Sequence, residues 1–231
     1  MNDQSEKRCD TQHMSSIFLD ALGNTRVYPL TDRRLSGLSH AEQVARLSEG
    51  GATLVQLREK DLPSAEFYRE AEAALRVARE RRVKIVINDR VDIALALQAD
   101  GVHLGQDDLS PEIARRLLGP KAIIGFSTHN LEQAALAAKM SVDYVAVGPV
   151  FATSTKRASD APIGLRKLHL VRQVLGQIPL VAIGGITAHN SREVVAAGAD
   201  AVAVISEIWS PATDAAARTK RLLDRVKSLI P

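Results

Sequence analysis

The chain has 231 residues, 45% of them hydrophobic, 25% charged and 3% aromatic, and 30 Lys and Arg against 27 Asp and Glu leave a net charge of +3. That length supplies one domain with a full core, and so small and dispersed a basic excess, with no aromatic platform, argues against nucleic-acid binding. The single cysteine, Cys9, lacks a partner for an internal disulfide, and no stretch reaches the roughly 18 to 20 apolar residues of a membrane span.

Residues 1–24 read as a disordered or weakly ordered extension. Residues 1–13 are polar, carry charges of both signs and lack the apolar core of a signal peptide. A cytoplasmic setting is expected, with residues 25–231 as a single catalytic domain.

From residue 26 onward, short β-branched runs alternate with amphipathic stretches. Strands are expected at 26–31, 53–58, 84–88, 101–104, 123–127, 144–147, 180–183 and 201–205. Helices are expected at 39–49, 64–81, 91–98, 111–118, 131–139, 164–175, 190–197 and 211–229. Ser64 and Ser110 sit where N-caps belong, with Pro111 at a first helical position. Small residues and Asp recur just before strands: Gly50-Gly51-Ala52, Ala99-Asp100, Ser141-Val142-Asp143 and Gly198-Ala199-Asp200. Eight such units predict an α/β fold of one domain, a (β/α)8 TIM barrel rather than a doubly wound sheet. Function is then sought at the C-terminal strand ends.

The second strand closes with Val55-Gln56-Leu57-Arg58-Glu59-Lys60. Alternation sends Val55 and Leu57 toward the helices, and Gln56 and Arg58 toward the barrel mouth. There Arg58 and Lys60 can grip phosphate; the bland alternative is surface pairing of Arg58 with Glu59, or of Lys60 with Asp61. Asn88-Asp89 ends the third strand and Asp107-Asp108 follows the fourth. Asp89 and Asp108 suit Mg²⁺, which takes one or two carboxylates and completes its shell with phosphates and water; alternatively they cap the next helices. Ser127, after the fifth strand, can donate to phosphate or act as a cap, and His129 beside it reads as structural.

After the sixth strand, Gly148-Pro149 starts a turn that leads to Thr153, Ser154, Thr155 and Lys156, hydroxyls and a lysine suited to an anion. Residues 157–162 read as a loop that closes over ligand. Gly184-Gly185 and Ile205-Ser206 end the seventh and eighth strands, where barrels bind phosphate through backbone N–H groups. Two phosphate-binding regions imply two phosphorylated ligands.

Over about residues 26 to 210 these motifs resemble the thiamine-phosphate synthase family. The resemblance rests on Tyr28-Pro29-Leu30-Thr31-Asp32, the Val55–Lys60 run, Ile87-Asn88-Asp89-Arg90 and Asp100–Asp108. Val147–Phe151, Thr153–Lys156, Ile183–Ile186 and Ala203–Ser206 carry it further. It implies a transferase that couples 4-amino-2-methyl-5-(diphosphooxymethyl)pyrimidine to a thiazole ethyl phosphate. It further implies that Gln56, Leu57, Arg58, Glu59, Lys60, Asn88, Ser127 and Lys156 hold the pyrimidine diphosphate, with Arg58, Lys60 and Lys156 catalytic. Asp89 and Asp108 would bind one Mg²⁺ per active site, and Thr153, Ser154, Thr155, Gly185, Ile205 and Ser206 the thiazole phosphate. Partners are then small phosphorylated substrates, with no nucleic acid or membrane; a homo-oligomer is left open. Ala152 stands where the family usually has proline, and Arg157-Ala158-Ser159-Asp160 departs from its commoner continuation. The alternatives are a thiazole tautomerase and a non-catalytic thiamine-phosphate-binding barrel.

Overall fold

The computed structural model describes residues 17–153, 161–209 and 214–227. Eight parallel strands, β1 (Val27–Pro29), β2 (Leu54–Leu57), β3 (Lys84–Asn88), β4 (Gly101–Leu104), β5 (Ile123–Thr128), β6 (Tyr144–Val147), β7 (Leu180–Ile183) and β8 (Ala201–Val204), pair in the order β1-β8-β7-β6-β5-β4-β3-β2. The seam between β1 and β2 is thin: one parallel bridge joins Leu30 to Gln56, and Thr31 N–H donates to the Gln56 carbonyl at 2.9 Å. The expected TIM barrel is therefore present. Its strands are buried on both faces, which is why they read as continuous runs of Val, Ile and Leu.

One helix per unit covers the outside: α3 (His40–Glu49), α4 (Ser64–Arg81), α5 (Val91–Leu97), α6 (Pro111–Leu118), α7 (Leu131–Ala137), α8 (Gly164–Leu175), α9 (Ser191–Ala196) and α11 (Ala215–Lys227). Short α2 (Arg33–Ser36) and α10 (Ser206–Trp209) lie in the loops after β1 and β8. Ser110 caps α6 as expected, accepting from Ile113 N–H at 3.4 Å, but Ser64 is the first residue of α4 and Pro63 takes the cap position. No helix among the described residues is long and apolar enough to cross a membrane.

One expectation is corrected. Residues 17–22 form a helix, α1, and Phe18 and Leu22 are buried in the core. The folded unit thus begins earlier than residue 25; residues 1–16, Cys9 among them, lie outside the described residues. Phe18 stacks on Tyr144 with ring centroids 4.2 Å apart. Tyr144 fits because Gly125 lies beside it: a Cβ at 125 would stand 2.0 Å from Tyr144 Cζ.

The recurring Asp before strands has a shared task. Asp100, Asp143 and Asp200 accept from the N–H groups of Ile85, Ile124 and Leu180, at 2.8, 2.6 and 2.8 Å. Each also pairs with a base, Lys84, Arg115 and Arg172 respectively. A carboxylate thus takes up the first or second amide of the preceding odd-numbered strand at the barrel floor.

Candidate active site

Two adjoining cavities open at the C-terminal ends of the strands, of about 700 Å³ and about 200 Å³. Ser127, His129, Ile183 and Ala203 line both, so the two share a wall.

The larger cavity gathers the polar ends of β1 to β4. Gln56, Arg58, Lys60, Asn88, Asp89 and Asp108 all line it, as do Glu59 and Ser127. The surface pairs offered as a bland alternative do not form. Arg58 Nη1 instead donates to Asp32 Oδ2 at 3.0 Å, and Lys60 Nζ pairs with Asp89 Oδ2 across the mouth. Arg58 Nε and Asn88 Nδ2 are buried with no partner among the described residues. Buried donors without acceptors cost about 1–3 kcal/mol each, so both fit an anionic guest.

The capping alternatives fall as well. The cap positions of α5, α6 and α7 belong to Arg90, Ser110 and Asn130, which leaves Asp89, Asp108 and Ser127 for the site. Asp89 adopts a left-handed backbone, φ 63°, a conformation Asp tolerates better than most residues. Its N–H donates to the His103 carbonyl at 2.8 Å, tying the end of β3 to β4. Asp108 Oδ2 accepts from Gly105 N–H at 2.7 Å. Burial pushes the Asp108 carboxyl above its ordinary value; that backbone hydrogen bond opposes the shift, and the charge of Asp89 beside it adds to it.

Asp89 and Asp108 lie close enough for their charges to repel, and Lys60, paired with Asp89, offsets one of the two, which leaves a charge that Mg²⁺ fits. No group of three or more His, Cys, Asp or Glu suited to a metal occurs among the described residues. A cage of protein ligands is therefore excluded for those residues, while a two-carboxylate site completed by phosphates and water fits.

Two expected ligands are placed differently. The Leu57 side chain is buried beneath the helices, so it can offer a ligand only backbone. The Glu59 carboxylate turns into its own loop: Oε1 accepts from the N–H groups of Lys60 and Asp61 at 2.9 Å and of Leu62 at 3.3 Å, and Oε2 lies 3.4 Å from His40 Nε2. Burial opposes its ionisation, but the His40 contact and the backbone N–H groups outweigh burial and bring Glu59 down to about 2. Glu59 thus shapes the loop that carries Lys60.

The smaller cavity is built from β6 to β8. Gly184 and Gly185, φ 99° and 65°, turn the chain directly against the Gly148-Pro149 segment, where a Cβ at 184 would stand 2.6 Å from Pro149 Cα. Gly185, Ile205, Ser206 and Thr153 line it, close to the first turn of α10. That turn is fixed from below by Trp209, whose Nε1 donates to the Leu30 carbonyl at 2.8 Å. Ser154, Thr155, Lys156 and residues 157–160 lie outside the described residues. A glycine-lined wall beside a helix start suits a phosphate held by backbone N–H groups.

The comparisons with known proteins agree with this geometry. The family model for thiamine monophosphate synthase matches residues 27–208. This chain belongs to the thiamine monophosphate synthase family. It is 47% identical over 186 residues to a thiamine-phosphate synthase of Clostridium novyi, covering 80% of this chain and 91% of that protein. A thiamine-phosphate synthase of Chloroflexus aurantiacus is 46% identical over 198 residues, covering 85% of this chain and 90% of that one. Among solved structures, a thiamine phosphate pyrophosphorylase from Pyrococcus furiosus is similar at a TM-score of 0.81 and 38% identity, covering 90% of this chain and 98% of that one.

Several lining residues of this family member escape a reading by motif. His103 bonds Tyr144 Oη through Nδ1 and Ser127 Oγ through Nε2, both at 2.8 Å. Gln106 donates to the Ser127 carbonyl, and Asp32 orients Arg58. A signal for His103 exists: in β4 it occupies the inward alternate position, in register with Asn88 and Gly125. His129, read as structural, lines both cavities, and its Nδ1 lies 2.9 Å from the Gly148 carbonyl.

Proposed function

We propose that this chain is a Mg²⁺-dependent thiamine-phosphate synthase. It couples the pyrimidine diphosphate to the thiazole ethyl phosphate and yields thiamine phosphate and diphosphate. The observation that carries this reading is the pair of joined cavities: one has phosphate donors and facing carboxylates, the other a glycine wall, and they meet at Ser127. A tautomerase would need only the second cavity, and a binding barrel would need no paired carboxylates. The larger cavity therefore favours coupling.

The electron-rich aminopyrimidine stabilises a cation at its methylene, so the C–O bond breaks with its electron pair leaving on diphosphate. The thiazole nitrogen then supplies the pair for the new C–N bond, and no protein nucleophile is needed. Arg58, held by Asp32, and Lys60 stabilise charge on the departing oxygens, the electrostatic help that dominates many active sites. Lys156 joins them in this reading. Asn88 and Ser127 hold the pyrimidine diphosphate; Thr153, Ser154, Thr155, Gly185, Ile205 and Ser206 hold the thiazole phosphate. Asp89 and Asp108 hold Mg²⁺, which when bound neutralises charge on the diphosphate. Phosphorylated substrates that do not cross a bilayer place this work in the cytoplasm.

The test is thiamine phosphate formation by purified protein from the two substrates. Product in proportion to enzyme supports the coupling; thiazole isomerisation without coupling would favour the tautomerase instead.

A further inference from the structure

Side chains from five strands form one chain of hydrogen bonds through the barrel. Gln56 Nε2 donates to Tyr28 Oη at 3.2 Å, Tyr28 Oη meets Tyr144 Oη at 3.1 Å, and Tyr144 Oη meets His103 Nδ1 at 2.8 Å. His103 Nε2 then meets Ser127 Oγ at 2.8 Å. The first four residues are largely buried but line the floor of the larger cavity, and of the five Ser127 alone also lines the smaller one.

The hydrogens in this chain have one consistent direction. The Gln56 amide nitrogen only donates, so Tyr28 accepts from it. The Tyr28 hydroxyl hydrogen then has Tyr144 Oη as its acceptor among the described residues. If Tyr144 donated back toward Tyr28, the Tyr28 hydrogen would be buried and unmatched, at a cost of about 1–3 kcal/mol. Tyr144 therefore donates to His103 Nδ1. A neutral imidazole has one hydrogen to place, and with Nδ1 accepting it sits on Nε2 and points at Ser127 Oγ. Ser127 accepts there and keeps its own hydrogen for the cavity. Burial pushes both tyrosine hydroxyls above their ordinary value, so each remains a donor. The rings are held as well as the protons: Tyr144 lies between Phe18 of α1, at 4.2 Å and 26°, and His103, at 5.5 Å and 19°.

We infer that His103 is a positioning residue: Tyr28 and Tyr144 fix its Nε2–H tautomer, so that Ser127 presents a donor, not an acceptor, to a ligand oxygen. The relay stands on the hydrogen bonds alone; that the oxygen belongs to the pyrimidine diphosphate rests on the function proposed above. Tyr144 and His103 also line the larger cavity, so the role through Ser127 is separated from direct contact and from packing by its dependence on the Ser127 hydroxyl.

Two measurements on the full chain test it. Long-range ¹H–¹⁵N NMR of the histidine rings should show His103 neutral with its hydrogen on Nε2; a hydrogen on Nδ1, or on both nitrogens at pH 7.5, would overturn the relay. This readout is independent of activity, so it stands even if the proposed function fails. A kinetic cycle follows with Tyr144→Phe, Ser127→Ala and the double variant, all checked for a native fold by circular dichroism. Tyr144→Phe should lower kcat/KM for the pyrimidine diphosphate about tenfold in wild-type background, and less than twofold in the Ser127→Ala background. Equal losses in both backgrounds would show that Tyr144 does not act through Ser127 and would overturn the inference.

Discussion

Arg58 Nη1 donates to Asp32 Oδ2 at 3.0 Å, which joins the end of β2 to the loop after β1. The guanidinium that faces the diphosphate in the proposed reading is therefore oriented before any ligand arrives, and Asp32 in turn caps α2 by accepting from Leu35 N–H at 3.0 Å. Asp32→Asn keeps an oxygen for the cap and removes the charge that holds Arg58. A charge-assisted hydrogen bond is worth about 1.5–3 kcal/mol. Steady-state kinetics should show kcat/KM down by about tenfold or more, and the melting temperature should fall by several degrees; unchanged kinetics would remove Arg58 orientation from the account.

Asp89 supports a second prediction. Because its φ is 63°, the replacement should tolerate a left-handed backbone, and Asn does so. Asp89→Asn should fold normally and lose at least about a hundredfold in turnover, the scale of losing one group that stabilises transition-state charge. Near-normal turnover at saturating Mg²⁺ would remove Asp89 from the metal site.

Gly125 makes a prediction about stability. A Cβ there would stand 2.0 Å from Tyr144 Cζ and 2.3 Å from its Oη, so the ring must move. Overpacking of this kind costs about 1–3 kcal/mol. Gly125→Ala should lower the melting temperature by several degrees, since a chain of this size shifts about 2–4 °C per kcal/mol. An unchanged melting temperature would show that Tyr144 can relocate freely.

Glu59 makes a prediction about acid. Its carboxyl lies at about 2 in the folded protein against an ordinary 4.5. A depressed carboxylate contributes stability that is fully present above the ordinary value and is lost as pH falls toward the folded one. Melting temperature should therefore drop more steeply between pH 4.5 and 2 in the wild type than in Glu59→Gln, which should be less stable at pH 7. Parallel curves would show that the His40 and loop contacts do not favour the charged form.

Much of the fold is legible in the chain because burial and periodicity are local. The bounds of β3, β4, β6 and β7 coincide with the apolar runs, and the Asp residues before β4, β6 and β8 mark the barrel floor. Helix α1 is not legible in this way. It is too short to be stable alone, and it packs on Tyr28 of β1 and on Tyr144 of β6, the latter far along the chain. In the site, residue type and strand end identify Arg58, Asn88, Asp89 and Asp108. Their partners are hidden for a related reason. Tyr28 and Tyr144 lie 116 residues apart, and only barrel closure brings their hydroxyls together. The Glu59 carboxylate reads as a ligand by position, yet local N–H groups claim it.

The most direct test of the central claim is diphosphate release from purified protein with both substrates, one or neither, in Mg²⁺ and in EDTA. The account predicts release only with both substrates and metal, matched one for one by thiamine phosphate. Release without the thiazole phosphate, or undiminished release in EDTA, would contradict it.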